Sequence, residues 1–361
     1  TIGHSGLERI FEDHLRGRRG LIEERRDTGA VTRTDPVPGD GVRLTLDMAL
    51  QRRVQAVLDP EFGLTRVQSW HRTEALPLGE RLNAAAVVLD IASGEVLALV
   101  SAPTLAAGED LDDVERAIRT PWICRAASGI YPPGSIVKPL VLAAAVTSGR
   151  HRLADPITCD GHYYPNVRRS YRCWIYRERY GFATHGELGP AEALGRSCNI
   201  YFYALGDRLG LPLLCDWLGY FGLGRDFDLG LPPGPDADPA ALSVAGFLPG
   251  DDEIEGLLRS GNASRVAIAA AIGQGPLAWT PLHAANAFAQ LARGGTVREP
   301  VLVLAPEPER HRRADRSRRL DPRAVDAALE GLRYSVEEPS GTGHHIRYGP
   351  GNDLDPIITA T

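Results

Sequence analysis

The stretch YPPGSIVK, residues 131–138, decides the fold class that this sequence predicts. Its Pro-Pro-Gly run forces a turn, and the apolar residues 139–148 predict a buried helix directly after it. We expect the helix to begin at Ser135, so that Lys138 lies on the same helix face, beside the serine hydroxyl. Serine is a weak nucleophile until a base takes its proton, and lysine can do so when burial lowers its pKa.

Lys138 is the only lysine in the sequence. The other 39 of the 40 basic residues are arginine. Arginine stays protonated in proteins, whereas a buried lysine can lose its proton. The composition therefore marks Lys138 as a candidate for proton transfer. The alternative interpretation of the motif is a helix capped by Ser135 with an exposed lysine one turn later.

A second polar motif, Ser197-Cys198-Asn199, follows about sixty residues after the first. On its own a Ser-x-Asn motif carries little information, and its value here is its position. A hydroxyl and an amide placed beside the first motif can relay protons and hold a substrate carbonyl. The alternative interpretation is a polar turn before a core helix.

The remaining pattern predicts strands and helices in alternation. Asp47 is typical of an N-cap and predicts a helix that ends near Leu58. The apolar runs 85–90 and 95–100 flank a short turn and predict a β-hairpin. Residues 191–209 predict a helix. Stretches rich in proline or arginine predict solvated linkers at 232–238 and 306–319.

Together, Ser-x-x-Lys and the later Ser-x-Asn resemble the beginning of the penicillin-binding protein and β-lactamase signature. Three further stretches resemble class B penicillin-binding proteins, and the chain is closest in pattern to their elongation-type branch. These stretches are GLE at residue 6 with LRG at residue 15, VRLTLD at residue 42 with LQ at residue 50, and GQG at residue 273 with TPL at residue 280. The resemblance implies an α/β transpeptidase fold with an antiparallel sheet flanked by helices.

The same resemblance implies two parts. Residues 1–41 resemble the end of a non-catalytic pedestal domain of the dimerisation type, and so short a piece cannot bury much core. Residues 42–361 resemble a penicillin-binding transpeptidase domain. We expect that domain to be incomplete at its C-terminal side, with strands of the sheet missing.

The activity that the resemblance implies is a peptidoglycan D,D-transpeptidase. Ser135 would attack the D-Ala-D-Ala carbonyl of a stem peptide, and the acyl group would pass to an amine of a neighbouring strand. Lys138 would be the base, Ser197 would pass a proton to the leaving group, and Asn199 would hold the acyl-side amide. β-Lactam antibiotics would acylate Ser135 as substrate mimics, and no cofactor is required for this chemistry.

One family motif is missing from the sequence. No second lysine exists, so there is no Lys-Thr-Gly. The SGTG at 340–343 resembles the segment that precedes that motif, and residues 357–361 resemble its lead-in. We therefore expect the chain to stop just before the motif, and this fragment to be inactive as written. A natural pseudoenzyme is the alternative.

Three cysteines and one histidine lie within one forty-residue stretch. Three thiolates and an imidazole form a recognised structural zinc set, although the spacing here is loose. Elongation-type members of the family resemble this arrangement and carry a metal in the same segment. A disulfide between the first two cysteines, or free thiols, remain alternatives. The candidate ligands are Cys159, Cys173, His185 and Cys198.

The bulk composition excludes one class of partner. The net charge of −6 argues against nucleic-acid binding, which requires a clustered basic surface. The resemblance implies a periplasmic enzyme, anchored at the inner membrane by an N-terminal segment not in this chain. It also implies a partner, a membrane-embedded glycan polymerase of the elongation or division machinery.

Two other functions fit the same motifs. A serine β-lactamase needs a group that activates water for deacylation, and no such carboxylate is recognisable in the sequence. A catalytically inactive scaffold or β-lactam sensor would carry the first two motifs without the third.

Overall fold

The computed structural model describes residues 3, 6–59, 83–104, 120–167, 170–231, 243–305 and 317–344. In chain order, the helices are α1 Gly6–Ile10, α2 Glu12–Leu15, α3 Met48–Leu58, α4 Arg125–Ser128, α5 Lys138–Thr147, α6 Pro190–Gly195, α7 Asn199–Leu209, α8 Leu211–Tyr220, α9 Asp251–Arg259, α10 Ala263–Ala270, α11 Pro281–Ala292 and α12 Pro322–Glu337. The strands are β1 Leu21–Glu24, β2 Val31–Thr34, β3 Arg43–Leu44, β4 Ala84–Leu89, β5 Val96–Ala102, β6 Ile157–Cys159, β7 Gly186–Leu188 and β8 Val303–Ala305. The predicted linker at 232–238, most of that at 306–319, and residues 357–361 lie outside the described residues.

The chain forms two compact units. The first contains residues 1–129, 226–244 and 299–315, and the second contains residues 130–225, 245–298 and 316–361. All the candidate site residues belong to the second unit. The domain boundary near residue 41 stays a prediction.

The predicted hairpin of the first unit is confirmed. Strands β4 and β5 pair antiparallel, and alternate residues of β5 are buried. The predicted helix α3 docks against β5 through Gln51, whose side chain donates to the Leu99 carbonyl at 3.0 Å and accepts from the Leu99 amide at 2.8 Å. Asp47 caps this helix as predicted, because its carboxylate accepts from the amides of Ala49 and Leu50. This packing supports a mixed α/β architecture with antiparallel strands.

The β1–β2 ribbon of the first unit is exposed at every residue of both strands. Because a two-stranded ribbon on its own is at best marginally stable in water, this ribbon contributes little to the core. No described helix is both long enough and apolar enough to cross a membrane.

The core of the second unit surrounds helix α5, as the uniformly apolar sequence predicts. Every residue from Lys138 to Val146 is buried. Helices α7, α8, α11 and α12 pack around α5. Because α5 has no solvated face, its first residue is carried into the interior with the rest of the helix.

The helix predicted over residues 191–209 is interrupted in the structure. Helix α6 ends at Gly195, and α7 begins at Asn199. Between them Ser197 adopts a left-handed backbone conformation with a φ of +51°. The break agrees with the interpretation of Ser197-Cys198-Asn199 as a polar turn before a core helix.

The turn before α5 depends on a close backbone contact with the GQG stretch. The Gly134 amide donates to the Gly273 carbonyl at 3.0 Å, and Tyr131 pairs with Trp279 as an antiparallel bridge. A Cβ on Gly273 would lie 2.1 Å from the Gly134 carbonyl oxygen. Gly273 is therefore required at this position by space as well as by its φ of +70°.

This contact predicts the effect of a matched pair of variants. Gly261 has the same φ of +70°, but a Cβ added there would meet nothing within 4 Å. We expect Gly261→Ala to lower the free energy of unfolding by about 1 kcal/mol, the cost of a left-handed alanine. Gly273→Ala should lower it by roughly 1–3 kcal/mol more, because the methyl group overlaps the backbone. Urea unfolding of both variants measures the difference, and equal losses would show that the contact does not matter.

Candidate active site

Ser135 lies in a short 3-10 turn, Gly134–Val137, that leads directly into α5. Ser135 and Ile136 are exposed, whereas Val137 is fully buried. The predicted turn and the helix after it are therefore confirmed. The geometry places the serine at the solvent-accessible end of a rigid, buried helix.

Lys138 is buried, with 1% of its surface exposed. Its amine donates to the Ser197 carbonyl at 2.8 Å, to Ser197 Oγ at 2.9 Å and to Asn199 Oδ1 at 2.9 Å. An ammonium group has three N–H donors, so these three acceptors satisfy it completely. The structure thus brings the two sequence motifs together, and it excludes the alternative of an exposed lysine.

Burial lowers the pKa of Lys138 from 10.5 to about 8, although the neighbouring thiols Cys198 and Cys173 raise it in part. Desolvation disfavours the charged form of a lysine, which explains the direction of the shift. The Phe202 ring lies 5.4 Å from the amine and supplies apolar surface on one side. A pKa near 8 leaves a useful fraction of neutral amine at physiological pH.

The hydrogen-bond partners of the Lys138 amine differ from the expected partner, Ser135. Within the described residues, the Lys138 amine makes hydrogen bonds to the second motif and none to the Ser135 hydroxyl. The reason is that the three acceptors of Ser197 and Asn199 already use every donor of the amine. Catalytic hydrogen bonds often tighten only when substrate is bound, so Ser135 stays a candidate nucleophile.

Asn199 is the first residue of α7 and connects three segments. Its Oδ1 accepts from Lys138, and its Nδ2 donates to the Arg172 carbonyl at 3.3 Å. Arg172 was missed by the sequence analysis, because it contributes a backbone oxygen and no side-chain signal. Both ends of the amide are held, so the orientation of Asn199 is fixed.

The four candidate metal ligands come together as predicted. Cys159 Sγ lies 3.7 Å from His185 Nδ1, and Cys173 Sγ lies 3.4 Å from the same nitrogen. The Cys173 and Cys198 sulfurs are 3.9 Å apart, and all four ligand atoms lie within 4.8 Å of one another. Tetrahedral zinc with about 2.3 Å bonds to sulfur and about 2.0 Å bonds to nitrogen requires separations of roughly 3.5–3.8 Å. The donor set and its spacing therefore fit zinc.

The thiols are unpaired and electrostatically coupled. All five cysteines are free, so the structure contains no Cys159–Cys173 disulfide. Hydrogen bonds from Cys159 and Cys198 lower the pKa of Cys173, while hydrogen bonds with Cys159 and Cys173 raise that of Cys198. Burial lowers the pKa of His185, but bonds to Cys159 and Cys173 outweigh it and raise this pKa to about 9. Sulfurs so close together cannot all ionise unless a cation is shared among them.

Comparison with known proteins identifies the family of this chain. A family model described as the penicillin binding protein transpeptidase domain matches residues 84–354. Peptidoglycan D,D-transpeptidase MrdA of Haemophilus influenzae is 30% identical over 320 residues, which are 85% of this chain and 44% of that protein. The MrdA of Escherichia coli K12 is 29% identical over 318 residues, again 44% of its length.

Solved structures show the same fold. Pseudomonas aeruginosa PBP2 aligns over 96% of this chain and 68% of its own, with a TM-score of 0.70 and 26% identity. A peptidoglycan synthase complex, described as coordinating polymerization and crosslinking, aligns over 96% of this chain and 58% of its own. Its TM-score is 0.68 and its identity 27%.

This chain belongs to the penicillin-binding protein transpeptidase family. Within that family, its relatives confirm the resemblance to elongation-type class B proteins. The predicted mixed α/β transpeptidase fold is likewise confirmed. The chain spans 44% of the length of the MrdA relatives.

The single lysine makes its pKa directly measurable. In protein labelled with ¹³C at lysine Cε, the native chain should give one lysine resonance, which titrates with a midpoint near 8. The same resonance in urea should titrate near 10.5, because unfolding restores solvent to the amine. Since the folded pKa is the lower one, the contribution of Lys138 to stability becomes more favourable as pH rises from about 8 to 10.5. A native midpoint near 10.5 would contradict the burial of the amine.

Proposed function

We propose that this chain is the catalytic part of a peptidoglycan D,D-transpeptidase that acts through an acyl-enzyme on Ser135. The observation that carries the proposal is the buried Lys138 amine, bonded to Ser197 and Asn199 one turn after a solvent-accessible serine. Its substrate is the D-Ala-D-Ala terminus of a stem peptide. The similarity to MrdA proteins supports this substrate class.

Acylation begins with neutral Lys138, which takes the Ser135 hydroxyl proton as the serine oxygen attacks the carbonyl carbon of the penultimate D-alanine. The carbon–nitrogen bond to the last D-alanine breaks, and an ester to Ser135 forms. Ser197 Oγ, 2.9 Å from the Lys138 amine, gives its proton to the leaving amine and is reprotonated by Lys138. The proton lost by Ser135 is thus balanced by the one gained by the leaving amine, and Lys138 and Ser197 end in the protonation states in which they began.

Transfer reverses these steps with a second amine. The amino group of a neighbouring strand attacks the ester carbonyl and gives up a proton, and the Ser135 oxygen leaves and regains one. Asn199 holds the amide of the acyl group with the second N–H of its Nδ2, since the first is donated to the Arg172 carbonyl. Its bonds to Lys138 and Arg172 fix that orientation beforehand, which lowers the entropic cost of binding.

The partner and the location follow from the same proposal. The aligned synthase complex, described as joining polymerization with crosslinking, supports a membrane-embedded glycan polymerase as partner. Cross-linking of peptidoglycan takes place outside the cytoplasmic membrane. We therefore propose a periplasmic position at the inner membrane, with an anchor that precedes the residues described.

We also propose that Cys159, Cys173, His185 and Cys198 hold one structural zinc ion. Zinc bound there supplies a cross-link between the 159–185 segment and the second motif, because Cys198 lies between Ser197 and Asn199. The support is the ligand spacing described above, together with the absence of a disulfide among the cysteines. This zinc takes no part in bond making.

The acyl-enzyme is tested with fluorescent penicillin and intact-protein mass spectrometry, on protein expressed from its complete gene. We expect one adduct per chain, located on Ser135, that persists for hours. Ser135→Ala should lose it, whereas Ser260→Ala, a change of an exposed serine remote from the motifs, should retain it. Release of the adduct within seconds would indicate a β-lactamase, and the absence of any adduct would contradict the proposal.

The zinc proposal is tested by metal analysis of purified protein. We expect one zinc per chain, lost in Cys173→Ser and retained in Cys124→Ser, which changes a cysteine outside the cluster. A chelator should lower the Tm of the wild-type protein and not that of Cys173→Ser, because bound metal stabilises the folded state. A Cys159–Cys173 disulfide in tryptic peptides, with no zinc, would overturn the assignment.

A further inference from the structure

The turn between α6 and α7 is held in a conformation that is unfavourable for its sequence. Ser197 has a φ of +51°, which costs a residue with a side chain about 1 kcal/mol or more. In this conformation both its carbonyl and its hydroxyl oxygen face the Lys138 amine. Such a conformation persists only where the surrounding structure holds it.

Helix α12 supplies one part of that support. The Tyr334 ring lies so close to Gly195 that a Cβ there would be 2.2 Å from ring atom Cδ1. The Tyr334 hydroxyl accepts from Arg196 Nη2 at 3.2 Å. The two helices also meet at Gly331, where a Cβ would be 2.5 Å from Leu194 Cβ. Tyr334 therefore touches the two residues that directly precede Ser197.

The SGTG turn at 340–343 supplies the second part. The Thr342 amide donates to the Gly195 carbonyl at 3.0 Å, and Thr342 Oγ1 donates to the same oxygen at 3.4 Å. The turn is fastened to α12, because Ser340 Oγ and the Tyr334 hydroxyl are 2.9 Å apart and the Gly343 amide donates to the Ser335 carbonyl at 2.9 Å. The SGTG turn thus has a role that its resemblance to the segment before the missing motif did not suggest.

A third contact holds the turn from the segment that carries the cysteines. Trp174 Nε1 donates to the Arg196 carbonyl at 3.0 Å. Trp174 belongs to the segment that carries the cysteines, whereas Tyr334 and Thr342 lie near the C-terminal end of the described chain. The backbone oxygens of Gly195 and Arg196 are both occupied, so little freedom remains at Ser197.

We propose that Tyr334 and Thr342 are positioning residues for acylation, which hold the 195–197 turn so that Ser197 stays bonded to Lys138. They touch neither substrate nor reacting atoms, and they act through Gly195 and Arg196. The kinetic part of this inference rests on the proposed transpeptidase function. The structural part, the placement of Ser197 against the Lys138 amine, stands independently of it.

The test uses Tyr334→Phe, which keeps the ring and removes the hydroxyl, and Thr342→Val, which keeps the backbone bond. With a chromogenic cephalosporin and protein expressed from its complete gene, we expect the acylation rate constant at saturation to fall by about tenfold in Tyr334→Phe, as for a misplaced catalytic group. It should fall less in Thr342→Val, because the backbone bond to Gly195 is kept, and the bonds lost are those of the hydroxyl to Gly195 at 3.4 Å and to Ser335 at 3.2 Å. The dissociation constant of the preceding complex should not change, since no substrate contact is altered.

A second readout does not depend on activity. Measured on the 361-residue chain, in which Lys138 is the only lysine, the ¹³C-lysine resonance reports the surroundings of Lys138, and we expect it to shift or broaden in both variants. The control is Tyr220→Phe, which removes a hydroxyl that is bonded to Gly295 and Arg318, away from the turn. It should lower Tm at least as much as Tyr334→Phe while leaving the lysine resonance and the acylation rate constant unchanged.

The outcomes separate the two proposals. An unchanged lysine resonance in Tyr334→Phe, or a rate loss equal to that of Tyr220→Phe, overturns the positioning role. A wild-type protein that forms no adduct on Ser135 overturns the transpeptidase function instead. In that case the resonance still decides whether Tyr334 and Thr342 hold the turn.

Discussion

The hydrogen bonds from the Lys138 ammonium to Ser197 and Asn199 are the interaction on which the site depends. A buried charge is tolerated only when its donors are satisfied, and here three acceptors satisfy three N–H groups. The need to supply two of those acceptors from one residue accounts for the left-handed turn at Ser197. The same turn divides what would otherwise be one helix into α6 and α7.

This arrangement places the candidate nucleophile and its candidate base in different environments. Ser135 is accessible to solvent at the start of a helix that is otherwise buried, while Lys138 lies one turn inside the core. Solvent exclusion at the amine lowers its pKa, whereas the serine stays open to solvent. One short segment therefore meets two opposing requirements, because the 3-10 turn changes abruptly from exposed to buried residues.

Much of the fold was predictable because the deciding signals are local. The cap at Asp47, the hairpin at β4 and β5 and the apolar run of α5 follow from residues close in sequence. The site was predictable in composition for a different reason: a single lysine and a clustered set of cysteines stand out against the rest of the chain. The partner of the lysine amine was not predictable, since the choice between Ser135 and Ser197 depends on packing between distant segments.

The left-handed conformation of Ser197 and the contacts of Tyr334 and Thr342 were also beyond the sequence. The Ser-x-Asn motif indicates a polar turn there, but it does not indicate the backbone conformation of that turn. The contacts around the turn use backbone oxygens and a glycine, which leave no pattern in residue types. Only the close approach of α12 to Gly195 reveals why a segment near the end of the chain matters to a motif far before it.

The uniqueness of Lys138 has a consequence for studying motion in this protein. Because it is the only side-chain amine in the chain and is sealed from solvent, reagents that acylate amines can reach it only when the core of the second unit opens. The rate of that modification in the folded protein then measures how often the structure around this one residue opens. Amine acylation modifies many surface lysines in most proteins, whereas in this chain it modifies a single buried side chain.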